Sequence, residues 1–438
     1  IIKQSDFFDS NNKFKEVNTI KFRKKINGYI SYLRSENPIN FPYKIYPFEY
    51  EGKYINNSLY PRLDNNNKRM GNDIIKHLKI IGCEMSGLQL KVYQKYYFEE
   101  ERSKSFVTKG LQISNIVFGE DINVDEISSS SNHFGPDIFS RVFKVNENNG
   151  ILSCKINEEY KDNFDLGNLK FISAKFHKFI TGIQNNIPKG IVFIYSQFKS
   201  LGVYTIAILL ELIGVTNYNG KNILKNRNIE QLYQNGKALK YLLKTGDSSK
   251  DFDNYKANDE SNNLDGGLCK FILGTKAASE GINIFNVREI HIMDPWFHMN
   301  RIEQINGRGI RNCSHKFLDF VDRNVTIYMY AAVEPKEFDR ESVDLRMYKI
   351  SEQKAINMGK VQKIIKSSSI DCYLNQEGNH YLGDEWNKNI TIIDSRGNER
   401  KINLEDKPFS DVCNYSEDKK CKITECYSSK KIYKESRN

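Results

Sequence analysis

Apolar residues follow two rhythms along this chain. Its central part holds four short, nearly continuous apolar runs: "GIVFIYS" at 190–196, "KFILGT", "REIHIMD" and "NVTIYMYAA". Such runs mark strands covered on both faces, the arrangement of a parallel sheet. After the first, "LGVYTIAILLELIG" places Leu201, Thr205, Ile208, Leu209 and Leu212 at helical spacing, so strands and helices alternate as in an α/β lobe. Later, Val343, Met347, Ile350, Met358, Val361 and Ile365 recur under a lysine-rich face, predicting one or two amphipathic helices.

The remaining segments lack those rhythms. "GYISYLRSENPINFPYKIYP" carries three prolines and a leading glycine, which forbid a long helix and predict an extended, turning course. "GEDINVDEISSSSNHFG" reads as a surface loop, and "GDSSKDFDNYKANDESNNLDGG" as mostly exposed turns. Three zones result: an irregular connecting region over 1–164, an α/β lobe over 165–335, and a C-terminal α+β extension over 336–438 with a strand-like "ITIIDSRG" and clustered cysteines.

Composition changes this picture little. At 438 residues, 39% hydrophobic and 12% aromatic, the chain has material for two or three compact units and is not disordered. Lys and Arg number 65 against 55 Asp and Glu, a net +10 that suits a polyanionic partner. No apolar run reaches membrane-spanning length, since "YTIAILLELIGV" is short and holds Glu211, so a soluble protein is expected. The first residues have neither a signal-peptide core nor an initiator Met, which predicts a fragment or a processed chain. Eight scattered cysteines fit a reducing compartment better than a disulfide scaffold.

Candidate chemistry gathers in the lobe. "FILGTKAASEGINI" sets Thr275 after a strand, with Ser279, Glu280, Gly281 and Asn283 in the loop; small residues there let backbone amides approach phosphates. The next strand ends in "MDPWFHMN" and leads into "RIEQINGRGIRNCSH". Gln304, Arg308 and Arg311 are expected on one helix side, because residues three apart are helical neighbours. All three segments are expected to converge on the carboxyl ends of the strands, where open α/β sheets bind ligands. Arginine suits a phosphate gaining charge in a transition state, being always protonated and donating in pairs. No G-x-x-x-x-G-K-[ST] loop occurs; "YQNGKAL" supplies only Gly236 and Lys237. Trp296 is either a base-stacking platform or a packing anchor. Arg23, Lys24 and Lys25, with lysines 354, 360, 363 and 366, are either phosphate contacts or a solvated face. Cys413, Cys421 and Cys426 are weak zinc candidates, with Cys372 or His380 as a fourth ligand.

"KGIVFIYSQF", "GTKAASEGINI" and "QINGRGIR" resemble motifs IV, V and VI of the superfamily 2 helicases. Together with "GYISYLRSENPINFPYKIYP" and "SSSIDCYLN", they resemble the helicase-like ATPases of large cytoplasmic DNA viruses over about residues 22–426. That group is similar to the poxviral early transcription factor small subunit and nucleoside triphosphate phosphohydrolase I. The resemblance implies a RecA-like parallel sheet flanked by helices, the second helicase lobe. It assigns Gln304, Arg308 and Arg311 to the catalytic face of bound ATP, with Gly281, Asn283 and Glu280 lining that cleft and Thr275, Ser196 and Gln197 near the nucleic-acid backbone. It implies ATP and Mg²⁺ held mainly by a first lobe that is missing here, and a chain inactive alone. Its expected partners are a DNA or RNA single strand and viral RNA polymerase, with no membrane, in a cytoplasmic viral factory or virion. A non-catalytic nucleic-acid or polymerase-binding module on the same scaffold is the alternative.

Overall fold

The structure is a computed structural model. It describes the chain except residues 1–2, 11–14, 16–17, 35, 38, 57–58, 65, 100–105, 149–150, 226–228, 246–249, 259, 277–281, 380–385, 417–425 and 427–438. Two compact units emerge, the larger formed by Asn40–Lys349 with Ile393–Glu399, the smaller by Ile1–Ile39, Ile350–Ile392 and Arg400–Asn438.

The larger unit is built on an eight-stranded parallel sheet. From one edge its strands are Thr216–Asn217, Lys240–Lys244, Phe271–Gly274, Ile191–Tyr195, Val287–Ile292 and Asn324–Val333. All four strands expected from the apolar runs are present. Ile191–Tyr195 lies centrally and is buried along its whole length, as an unalternating apolar run requires. Helix Ala174–Asn185 packs on the sheet and is capped by Ser173, whose hydroxyl accepts from the Phe176 amide. The apolar helix expected after the first strand is Thr205–Leu212. It is preceded by an irregular turn at Lys199–Tyr204, kinked at Gly202, where an added Cβ would lie 2.2 Å from the Ser196 Oγ.

Two features differ from the expected zones. Strand Tyr43–Ile45 pairs with Asn324–Thr326, and strand Ile80–Glu84 pairs with Met329–Val333 farther along the same strand. Residues from Asn40 onward therefore belong to the sheet-bearing unit. "YKI" is too short to show a period, and Gly82 interrupts "IIGCE". The polar stretch read as exposed turns contains helix Lys250–Asn258, anchored by Phe252 and Tyr255, each 0% exposed. Two aromatics three residues apart are too weak a pattern to outweigh the surrounding Asp, Asn and Lys.

In the smaller unit, residues 27–29 form a turn and 30–34 follow without helix, in keeping with the expected extended, turning course. The Ile370 amide donates to the Ile30 carbonyl at 2.9 Å, and Asp371 accepts from the Ser31 hydroxyl and the Tyr32 amide. Arg34 Nη1 donates to both carboxylate oxygens of Asp406, at 2.7 and 2.8 Å. The lysine-rich pattern forms one helix, Val343–Ser367, within which the unit boundary falls. "ITIIDSRG" gives the first strand and turn of hairpin Asn389–Ile393 with Glu399–Asn403.

The cysteine expectation is not met: Cys372 and Cys426 form a disulfide across 54 residues, with Cα atoms 5.6 Å apart, and Cys413 is also disulfide-bonded. Oxidised sulfurs do not ligate zinc, and among the described residues no cluster of three or more His, Cys, Asp or Glu could hold a metal ion. Cys421 and His380 lie outside the described residues. Among the described residues no helix is long and apolar enough to cross a membrane.

Candidate functional site

The candidate residues are distributed by two elements that run antiparallel to each other. Strand Val287–Ile292 carries the chain to the carboxyl edge of the sheet; helix Met299–Gly309 brings it back. Eleven helical residues span about 16 Å and six strand residues about 20 Å, so the helix end returns to the strand's start. Its contacts place it there. A Cβ on Gly309 would meet the Val287 Cβ at 2.8 Å, and the Ile284 amide donates to the Arg308 carbonyl at 2.9 Å.

The motif residues therefore do not share one edge, contrary to expectation. Ser196 and Thr275 follow the strands Ile191–Tyr195 and Phe271–Gly274 at their carboxyl ends. Arg308, Arg311 and Asn283 lie at the amino end of Val287–Ile292. Asn286, at φ +59°, makes the bend into strand Val287–Ile292.

Arg311 also departs from the expected helix face. The helix ends at Gly309, and Ile310, with φ −101° and ψ 89°, leaves helical geometry. Arg311 reaches back instead, its Nε donating to the Gly307 carbonyl at 2.7 Å. Arg308 does the same to the Gln304 carbonyl at 3.1 Å, and its Nη1 donates to the Ile282 carbonyl at 3.0 Å. Both guanidinium groups thus satisfy carbonyls at the negative end of the helix. Gln304 itself is exposed.

Arg311 and Asn283 line one cavity of about 430 Å³, together with Phe41, Phe285, Gly307 and Ser314. A Cβ at Gly307 would meet nothing within 4 Å, so this wall is open. A cationic fork beside a small-residue wall fits a phosphate chain. No lining residue is acidic, so these residues do not form a Mg²⁺ site. The Asn283 carbonyl accepts from the Lys256 Nζ at 2.8 Å. Glu280 and Gly281 lie outside the described residues.

At the opposite edge, Ser196 is 0% exposed and Thr275 8%. The Phe198 amide donates to the Ser196 hydroxyl at 3.2 Å, so this hydroxyl orders the turn rather than facing a strand of nucleic acid. The half-buried Gln197 donates its amide to Asp294 at 2.7 Å. Trp296 is half-buried, with the Arg301 guanidinium 3.6 Å from its ring centroid.

Two buried groups escaped the sequence reading. His315, which directly follows the arginine motif, approaches the Val287 carbonyl through Nε2 at 2.7 Å and the Ser314 hydroxyl through Nδ1 at 2.9 Å. That hydroxyl accepts from the Arg311 amide, so His315 buttresses the arginine loop; burial lowers its pKa to about 4. Beneath the carboxyl edge, Lys175 donates to the Met293 carbonyl at 2.7 Å and to Asp344 at 3.0 Å, and both partners of this ion pair are fully buried. Nothing in local periodicity signals a lysine placed inside.

Comparisons with known proteins agree with this lobe. Residues 175–313 match the helicase conserved C-terminal domain family. A protein of Invertebrate iridescent virus 3 named as a helicase, 087L, is 26% identical over 82% of this chain and 32% of its own length. A protein of Acanthamoeba polyphaga mimivirus named as an ATP-dependent RNA helicase, R563, is 27% identical over 83% of this chain and 53% of its own length. The termination factor NPH-I homolog of African swine fever virus is 25% identical over 43% of this chain and 31% of its own length. The chain thus spans about half or less of these relatives. Among solved structures, the C-terminal part of the Fun30 ATPase domain aligns with 41% of this chain and 45% of its own, at 16% identity and a TM-score of 0.28. Residues 175–313, which include the core strands of the parallel sheet, thus match a helicase C-terminal domain, and over four-fifths of its length the chain is similar to proteins of large DNA viruses named as helicases.

Proposed function

We propose that this chain is the C-terminal portion of an ATP-dependent nucleic-acid helicase or translocase acting in viral transcription. One observation carries the reading: Arg311 and Asn283 line a common cavity whose open wall at Gly307 leaves room for a phosphate chain. The names of the relatives, RNA helicases and a termination factor homolog, support nucleic acid and transcription as its setting. In this reading Arg311 is a finger arginine, donating to phosphate oxygens as charge develops on them. Arg308 holds the loop at Ile282, linking nucleotide occupancy to the segment that ends at Thr275. ATP supplies the phosphoryl group. Mg²⁺ and the phosphate cradle come from a partner lobe, because the 438 residues contain no phosphate loop. A single strand of DNA or RNA runs along the carboxyl edge near Gln197 and Thr275, and the protein works with viral RNA polymerase in the cytoplasmic factory or the virion.

Phosphate release tests this. The isolated chain is expected to hydrolyse no ATP with or without single-stranded nucleic acid; turnover at motor rates would overturn the reading. In the protein that carries both lobes, Arg311→Ala is expected to lower kcat by about 10³ to 10⁵ with nucleotide affinity changed only severalfold. Equal losses in both would make Arg311 a ground-state ligand. A non-catalytic scaffold is the second reading, favoured by the absence of a phosphate loop from these residues; a two-lobe protein without ATPase activity would establish it.

A further inference from the structure

Much of the chain's charge lies outside the helicase lobe. The three segments of the smaller unit hold 23 Lys and Arg against 16 Asp and Glu, so they carry seven of the chain's ten net positive charges. Helix Thr19–Ile26 concentrates them, with Lys21, Arg23, Lys24 and Lys25 and no carboxylate in eight residues. Lys21, Lys24 and Lys25 are exposed. The chain leaves this helix through a turn in which the Tyr29 amide donates to the Ile26 carbonyl at 3.1 Å, and Tyr29 is then 87% exposed. The bond from the Ile370 amide to the Ile30 carbonyl, and Asp371's bonds to Ser31 and Tyr32, hold residues 30–32 against 370–371. Helix Asp371–Leu374 therefore lies beside the same strip and presents Tyr373 at 63% exposure. The neighbouring carboxylate of Asp371 is occupied by Ser31, Tyr32 and Asn375.

Two exposed phenol rings lie on adjoining segments, and the first directly follows a lysine-bearing helix without a carboxylate, which matches what a single strand requires. Rings accept stacked bases of any sequence, and ammonium groups hold the phosphates between them. A protein partner fits less well, because interface cores are depleted in lysine. We propose that the smaller unit carries a single-strand-binding surface of its own, on which bases stack on Tyr29 and Tyr373 and Lys21, Lys24 and Lys25 hold the backbone. This surface shares no residue with the lobe's nucleotide cavity and needs no ATP.

Titrating fluorescein-labelled oligothymidylate with the full chain, without nucleotide and at several salt concentrations, tests it independently of any hydrolysis. Tyr29→Ala with Tyr373→Ala is expected to weaken binding by about tenfold or more, while Tyr29→Phe with Tyr373→Phe retains it. Both side chains are exposed, so the melting temperature should not move. Replacing Lys21, Lys24 and Lys25 by Gln should reduce the salt slope by about two, at roughly 0.7 for each phosphate no longer neutralised. Wild-type affinity in the double alanine variant, an unchanged salt slope in the glutamine variant, or no binding by the wild-type chain would overturn the proposal and leave the patch to a protein partner.

Discussion

Gly307 and Gly309 sit two residues apart near the end of the arginine helix, yet an added methyl group meets different surroundings at each. At Gly309 it would press on the Val287 side chain at 2.8 to 3.1 Å; at Gly307 it would meet nothing within 4 Å and would project toward the cavity. Gly309→Ala is therefore expected to destabilise the fold by about 1–3 kcal/mol through overpacking. Gly307→Ala should stabilise it by about 0.5–1 kcal/mol, because alanine is the better helix former. Thermal unfolding of both variants checks this; equal shifts would mean the helix does not seat on Val287 as described. The two arginines were legible in the sequence as cations on one side of a short helix. The position of Arg311 was not, because its reach back to Gly307 depends on Ile310 leaving helical dihedrals, which no spacing rule encodes. Lys270 was equally hidden: its Nζ donates to the carbonyls of Pro188, Gly190 and Asp265. Burial lowers its pKa to about 8, yet three simultaneous acceptors use all three hydrogens of an ammonium, so Lys270 remains charged here.

The four central strands of the lobe came through in the sequence because burial on both faces imposes an unbroken apolar run, whereas strand Lys240–Lys244 and helix Lys250–Asn258 did not. The order of strands did not, since parallel pairing joins segments far apart in the chain: Tyr43–Ile45 and Ile80–Glu84 share one neighbour more than 240 residues later in register. Polar ties between elements were invisible as well. Helix Ala174–Asn185 and the start of helix Val343–Ser367 are tied by Lys175 and Asp344, and Asp344 also accepts from the Ala332 amide at 2.9 Å. Removing one member of a fully buried pair strands the other charge, so Lys175→Met should cost about 3–5 kcal/mol. Adding Asp344→Asn removes that charge while keeping an acceptor for Ala332, and should recover a large part of the loss. Denaturant midpoints measure both; a double variant no more stable than Lys175→Met would show that packing, not charge, holds these helices.

For the whole molecule, zones read along the sequence gave way to units assembled from separated segments, because a compact unit is defined by contacts and not by order. Response to pH is also collective, and here the signs oppose. Burial holds the His315 imidazole down to about 4 and lowers His291 as well. An unfolded imidazole takes up a proton near 6.5. Stability from these groups is thus complete above about pH 6.5 and declines as the pH falls, for His315 by about 2 kcal/mol at pH 5. Glu289 behaves similarly at lower pH: burial alone would raise it, but Arg396 and His291 bring it to about 2, so its contribution is lost below the ordinary carboxylate range. Glu211 acts the other way. Burial raises it to about 6 although Tyr241, Ile223 and Leu224 donate to its carboxylate, so the folded state gains a proton before the unfolded chain does. Its effect grows as the pH falls from about 6 toward 4.5 and offsets part of the histidine loss. Glu211→Gln removes that offset, and its stability should fall between pH 6.5 and 5 by about 1 kcal/mol more than wild type does. His315→Gln should flatten the same curve by about 2 kcal/mol between pH 7.5 and 5. Urea unfolding across this range reads both slopes; a Glu211→Gln curve parallel to wild type would mean that Glu211 stays ionised in the folded protein.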